Sequence, residues 1–178
     1  KFKFFICRNK NNRKISRRDL GLAITDRWSG GTTVSATMQV SYNVGIRVFS
    51  TGGIGGIHRG LNKSFDISQD LVSLKELPLV VVSSGAKAIL DIEKTVENLE
   101  TSGVIVLGYG TNCFSAFYSR ETDFKIPRVN SVEKIVKTFK NHLSLGLSSS
   151  VLVSNPIPKK HNIPSKKTEK IIEKALSE

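Results

Sequence analysis

The chain has 178 residues, 39% of them hydrophobic, and a formal net charge of +12 at pH 7, enough for one ordinary domain with a real core. No stretch approaches the roughly 18 apolar residues of a membrane span, and the opening Lys1 to Cys7 run is too soon broken by charge to be a secretory signal. The two cysteines, Cys7 and Cys113, match no metal-ligand spacing and fit a reducing, cytoplasmic setting.

Taken in chain order, the first 18 residues carry Lys1, Lys3, Arg8, Lys10, Arg13, Lys14, Arg17 and Arg18 and no acid. Such a run reads as a nucleic-acid patch, or as a basic sequence bias joined to a site for an anionic substrate. No nucleic-acid motif appears, and stacking aromatics are not interleaved beyond the first positions, so a small anionic substrate is expected rather than nucleic acid. The chain begins with Lys1 and not methionine, so its start is expected upstream.

Asp19 is expected to cap a short helix through Trp28, and Gly30 to Thr33 to open a second one with Val34, Met38 and Tyr42 on one face. Ile46 to Phe49 reads as a short buried strand that ends in a glycine-rich loop, Thr51 to Gly60. Ser68 or Gln69 to Glu76 is helical and is stopped by Pro78. Leu79 to Val82 is a continuous apolar run, the sign of a strand covered on both faces. A helix from Asp91 to Glu100 puts Ile92, Val96 and Leu99 on one face, and Val104 to Leu107 is the next strand. Ser131 caps a helix to about Leu145, Val151 to Val153 is a last strand, Pro156 to Pro164 a loop, and Ser165 opens a charged terminal helix.

Short apolar strands alternating with helices predict an α/β/α layered domain over residues 1–178, with a largely parallel sheet. Ligands of such sheets gather at the carboxyl ends of the strands, where Thr51, Ser83 to Lys87, Tyr109 to Asn112 and Asn155 would share one edge.

The glycine loop is neither common phosphate motif: His58 occupies the place of the third glycine of the dinucleotide fingerprint, and no Gly-Lys-Ser/Thr is present. It either offers backbone N–H groups to a phosphate, with Thr51, Gly52 and Gly53 the candidates, or is a tight strand exit that needs positive φ. Lys87 follows a buried strand beside Gly85 and Ala86, which leave room for a substrate. A partly desolvated amine there would be free to attack a carbonyl carbon, the alternative being a solvated lysine at a helix start. Asp66, Ser68 and Asp70 alternate and would point the same way in an extended chain, as a seat for a hard divalent ion. Equally, Ser68 or Asp70 caps the following helix. His58 is an acid/base candidate or a structural histidine.

These stretches together resemble the pseudouridine-5′-phosphate glycosidases, also called the indigoidine synthase A-like family. The resemblance is carried, in family order, by Lys14 to Leu20, Gly31 to Met38, Gly45 to Gly60, Phe65 to Leu71, Gly85 to Asp91, Leu99 to Gly103, Gly108 and Tyr109, Phe117 to Arg120, and Asn155 to Pro158. It implies reversible conversion of pseudouridine 5′-phosphate and water into uracil and ribose 5-phosphate, through a lysine that forms a Schiff-base-type adduct with the opened sugar. By position, Lys87 matches that lysine and His58 a histidine near the reacting centre. Asp66 matches the carboxylate of a one-ion manganese site, and Lys14, Val34, Ser68, Gln69 and Asp70 match substrate contacts. A homotrimer is implied as well. Measured against the family pattern the chain is the central portion, without an amino-terminal segment that supplies a glutamate proton donor and without a carboxy-terminal segment lining the site. These 178 residues alone are therefore expected to be catalytically incompetent. The rival expectations are a non-catalytic sugar-phosphate-binding remnant and a basic nucleic-acid-binding protein.

Overall fold

The computed structural model describes residues 12–177, so Cys7 and the basic residues before position 12 lie outside the described part. In chain order, β1 (Arg13–Ile15) leads through a 3-10 turn (Arg17–Asp19) into α1 (Leu20–Thr25), then β2 (Gly30–Thr32), α2 (Val34–Asn43) and β3 (Val48–Ser50). After the glycine loop come β4 (Ile57–His58), α3 (Leu61–Ser64), α4 (Gln69–Glu76), β5 (Val80–Ser83), β6 (Leu90–Asp91) and α5 (Ile92–Thr101). The chain continues with β7 (Ile105–Tyr109), β8 (Arg128–Val129), α6 (Val132–Ser144), β9 (Val151–Ser154), a 3-10 turn (Lys159–His161) and α7 (Ser165–Ser177).

Five strands form one sheet in the order β3-β5-β9-β7-β8, every neighbouring pair parallel. Residues alternate across it. Val81 and Leu152 join Met38, Leu71, Leu74 and Leu99 in one core, under α2, α4 and α5. Val80, Val151 and Val153 join Ile135 and Phe139 of α6 in a second core on the opposite face. This is the expected α/β/α layering, and it explains why β5 and β9 read as unbroken apolar runs: each strand has a dry surface on both sides. Leu152 has no solvent exposure, and full burial of such a side chain contributes about 1.5–3 kcal/mol. No helix among the described residues is long and apolar enough to cross a membrane.

Four expectations are corrected. Asp19 does not cap α1 forward: its carboxylate accepts from the N–H and Oγ of Ser16 at 2.8 and 2.7 Å, so the helical segment starts one turn earlier. Those bonds, side chain first, hold its carboxyl below the usual range. Helix α1 stops at Thr25, ahead of Arg27 with φ 53°, short of Trp28. Gly30 to Thr32 is not a helix start but β2, paired in parallel with β1. Thr33 is the N-cap of α2, its hydroxyl accepting from Ala36 N. The strand expected at Ile46 to Phe49 is shifted to Val48–Ser50 and is not buried; β3 has one neighbour, and Val48 is 64% exposed at the sheet's edge. Two residues of the basic segment are engaged in contacts: Arg17 meets Glu76 at 2.5 Å, and the Arg13 guanidinium lies 4.0 Å over the Trp28 ring.

Asp91 caps α5, its carboxylate accepting from Lys94 N at 3.1 Å and from Lys94 Nζ at 2.5 Å. Burial opposes its charge, but the Lys94 hydrogen bonds and the charges of Lys94 and Arg59 win and hold the carboxyl below its usual range. A carboxyl lowered in the fold stabilises above its unfolded pKa and loses that contribution as pH falls through the folded one. Asp91→Ala should therefore cost about 1 kcal/mol at neutral pH. In thermal melts the gap to the parent should narrow below the normal carboxylate range; a gap that stays constant on acidification would contradict the cap.

Candidate active site

The glycine loop is the centre of the arrangement. Thr51 N donates to Val82 O at 2.9 Å, which keeps the chain against β5 as it leaves the sheet. Ile54 then pairs with the segment after β5: Ile54 N donates to Gly85 O, and Lys87 N to Ile54 O, both at 3.0 Å. On its other side the loop takes the segment before α4, with His58 N donating to Asp66 O at 3.0 Å and Ser68 N to Gly56 O at 2.9 Å. Strand β4 closes the unit by antiparallel pairing with β6. Residues 54–58 are thus a backbone spine, with the Asp66 to Asp70 segment on one side and the Gly85 to Asp91 segment on the other.

Gly53, Gly55 and Gly56 are required by close approach, not by backbone angle. None of Gly52, Gly53, Gly55 or Gly56 has positive φ, which removes the tight-exit explanation. A Cβ on Gly53 would lie 2.6 Å from the Phe117 ring, one on Gly55 2.2 Å from Ser68 Oγ, and one on Gly56 2.4 Å from Thr95 Oγ1. The loop is pressed flat between its neighbours. The N–H groups of Thr51, Ile54, Gly55 and Ile57 are committed to Val82, Gly85, Asp70 and Thr95, whereas those of Gly52 and Gly53 donate to no partner among the described residues. Gly52 is exposed and Gly53 is buried beneath Phe117.

The other sequence-predicted residues fall around this spine. Lys87 has its backbone fixed at both ends, N–H to Ile54 and C=O accepting from Leu90 N at 3.0 Å, while its side chain is exposed rather than desolvated. The physical reason is that it lies four residues past β5, beyond the apolar cover of the strand. Asp66, Ser68 and Asp70 do not point the same way. Ser68 is the N-cap of α4 and accepts from Asp70 N, so the period-two alternation ends there and Asp70 turns into the core at 4% exposure while Asp66 stays exposed. Both Asp70 oxygens accept backbone N–H groups, Oδ1 from Ser35 at 2.8 Å and Oδ2 from Gly55 at 2.7 Å. Gln69 Oε1 accepts from Arg18 N at 2.9 Å. Val34 begins α2, half-buried, and Lys14 is exposed on β1, tied to the α2 cap through Thr33 N donating to Ile15 O at 2.9 Å.

His58 Nδ1 lies 3.8 Å from Asp66 Oδ2, both side chains open to solvent. Among the described residues no group of three or more His, Cys, Asp or Glu side chains gathers as a cage. One exposed carboxylate fits a divalent ion that keeps most of its waters, not one enclosed by protein ligands. A cavity of about 590 Å³, lined by Cys113, Arg120, Thr122, Lys125, Lys159 and Asn162 among others, lies apart; none of the sequence-predicted site residues lines it.

Beside Ser84, expected at this edge from the sequence, the fold adds Thr95 and the segment Ser115 to Phe117. Thr95, fully buried on α5, accepts from Ile57 N at 3.0 Å and donates to Asp91 O at 2.6 Å. Ser84 Oγ donates to Gly52 O. Ser115 to Phe117, rather than Tyr109 to Asn112, lie against the Lys87 segment: Phe117 N donates to Ser84 O at 3.0 Å, and Gly85 bridges Ala116. Tyr109 to Asn112 fall farther along the edge, beside β8, where Gly110 N donates to Val129 O at 2.8 Å. A threonine inside an amphipathic helix and an irregular segment carry no periodic signal.

Against known proteins, the model of the family described as indigoidine synthase A like protein matches residues 1–178. The chain is 52% identical over 163 residues to the pseudouridine-5′-phosphate glycosidase of Mesorhizobium japonicum, covering 91% of this chain and 53% of that protein. It is 49% identical over 161 residues to the protein of the same name from Dinoroseobacter shibae, covering 90% and 53%. It thus spans about half the length of these curated relatives. Among solved structures, an indigoidine synthase A-like protein from Thermotoga maritima superposes with a TM-score of 0.88 at 37% identity, covering 92% of this chain and 55% of that one. The prealnumycin C-glycosynthase AlnA, in complex with ribulose 5-phosphate, superposes with a TM-score of 0.91 at 38% identity, covering 96% and 56%.

Proposed function

We propose, from the premise that the chain belongs to the indigoidine synthase A-like family, that it forms the central part of a pseudouridine-5′-phosphate glycosidase and carries the nucleophile of its reaction. The reaction is the reversible cleavage of pseudouridine 5′-phosphate with water to uracil and ribose 5-phosphate. The observation that carries this reading is the double pairing of the glycine loop, which seats the Asp66 to Asp70 segment and the Lys87 segment on the two sides of one spine. The relatives' names support the substrate, and the sugar phosphate in the C-glycosynthase complex supports its class.

The bond to be broken joins two carbons, so protonating a heteroatom leaving group does not suffice. In this reading the C1′–O4′ bond opens, its electron pair going to O4′, which takes up a proton, and the Lys87 nitrogen bonds to C1′ and gives up a proton. The C1′–C5 bond then breaks, its electron pair going to the base, whose C5 takes up a proton. The nitrogen lone pair fills C1′ as a protonated imine, and water hydrolyses that imine to the aldehyde of ribose 5-phosphate and returns the amine. Rigid backbone support of Lys87, with a side chain free to reach, suits an amine that must follow C1′ through these steps. The N–H groups of Gly52 and Gly53 and the amino end of α2 at Val34 are the phosphate candidates, and Lys14, exposed on β1, would add a positive charge. His58 stands beside Asp66 as a proton carrier for the opening sugar. Asp66 would hold a manganese ion chiefly through waters, and such an ion supplies electrostatic orientation of the anionic substrate. The homotrimer and the cytoplasmic location belong to the same proposal.

Ribose 5-phosphate should raise the melting temperature saturably and ribose should not. At about 100 times the dissociation constant the stabilisation is about 2.7 kcal/mol. Salt-sensitive binding to random oligonucleotides with no response to ribose 5-phosphate would replace this reading by a nucleic-acid one.

A further inference from the structure

We propose that Asp70 is a positioning residue: a buried carboxylate that locks the glycine loop to the amino end of α2, so that the phosphate-facing backbone keeps one geometry. This rests on the reading of the site given above. Asp70 is 4% exposed, and two N–H groups from distant parts of the chain converge on it, Ser35 on Oδ1 at 2.8 Å and Gly55 on Oδ2 at 2.7 Å. Its own N–H is held by Ser68 Oγ at 3.3 Å. Gly55 comes so near that a Cβ would stand 2.8 Å from Oδ2, so the loop sits as close to the carboxylate as only a glycine allows. Ser35 follows Val34, and Gly55 lies two residues after Gly53, so each anchored amide adjoins a phosphate candidate. Adjacent ties run the same way: Arg17 N donates to Ser35 Oγ at 3.2 Å and Arg18 N to Gln69 Oε1 at 2.9 Å.

The chemistry requires an acid at this position. Two N–H donors need an acceptor at both ends, and an ionised carboxylate supplies both as charge-assisted bonds. Asparagine would present its NH₂ to one of the two donors, and alanine would leave both orphaned. With each oxygen already accepting a backbone N–H, and an anion unsuited to touch a phosphate, Asp70 is assigned to act through the loop and not on the ligand.

The test uses the full-length protein and its Asp70→Asn variant, with residue-resolved amide hydrogen exchange and ribose 5-phosphate titration. In the parent, Ser35 and Gly55 should exchange slowly although one is in a first helical turn and the other in a loop, places where amides usually exchange fast. Fast exchange there overturns the proposal without any variant, which covers a variant that fails to fold. In Asp70→Asn these two amides should exchange at least about tenfold faster, and ribose 5-phosphate affinity should fall about tenfold. The loss in turnover should lie in KM, with kcat near the parent's at saturation. Lost binding with unchanged exchange at Ser35 and Gly55 would mean that Asp70 touches the ligand, and unchanged binding with faster exchange would mean that the bonds are structural alone. Both outcomes overturn the proposal. A parent that binds no ribose 5-phosphate would sink the functional reading, while the exchange rates still decide whether Asp70 holds the loop.

Discussion

Borohydride added to the full-length protein with ribose 5-phosphate is expected to leave a covalent adduct on Lys87, and Lys87→Ala is expected to lower uracil release from pseudouridine 5′-phosphate by about 10,000-fold or more. The expectation follows from the need to split a carbon–carbon bond. The nitrogen of an amine adduct supplies C1′ with the electron pair that replaces the one leaving with the base, which neither a carboxylate nor an imidazole in this arrangement can do. Lys87→Arg should be equally inactive, because a guanidinium stays protonated and forms no imine. Its charge would preserve phosphate attraction, so this variant should still bind ribose 5-phosphate and so separate binding from chemistry. The side chain of Lys87 is exposed, so in this assignment the bound sugar must supply the cover that the loop does not. An adduct mapped to another lysine, with Lys14 the first to check, or an active Lys87→Ala protein, would end the assignment.

The second large effect is a stability change at Gly85. This residue has φ +89°, and a Cβ there would lie 1.6 Å from Ser115 O, a backbone atom that cannot rotate away. Gly85→Ala combines a positive-φ penalty of about 1–2 kcal/mol with about 1–3 kcal/mol of overpacking. The sum, about 2–5 kcal/mol, is a large share of the roughly 5–15 kcal/mol that holds a domain together. Gly103 is the internal comparison: its φ is +70° but nothing lies within 4 Å of its Cβ position. Gly103→Ala should therefore cost only the conformational part, about 1–2 kcal/mol. Urea unfolding of the two variants should show the difference. Equal losses would mean that the contact with Ser115 yields and does not fix the Lys87 segment.

The layered fold and its buried strands were legible because the apolar runs at Leu79 to Val82 and Val151 to Val153, and the helical spacing of Ile92, Val96 and Leu99, are local statements of what each element must hide. Caps at Ser131 and at Ser68, the latter one of two candidates, were equally local, each bonding to an N–H within three residues; Asp91, read as the first helical residue, is a cap of the same local kind. The family resemblance, too, lay in the order of short motifs along the chain. Tertiary structure decided what local pattern does not encode. The two-residue strands β4 and β6 exist only because Ile57 and Asp91 meet across the fold, and β1 with β2 only because Arg13 meets Gly30. The same holds for the glycines, which looked like turn formers and are spaces for Phe117, Ser68 and Thr95. Asp70 is the sharpest case. In sequence it is one acid of an alternating trio facing a common ligand, and in the fold it is buried with two amides brought from 35 and 15 residues away. Periodicity reports how each segment divides water from core. Which donors arrive at a buried carboxylate depends on how separate segments pack, and that is written in no single stretch of the chain.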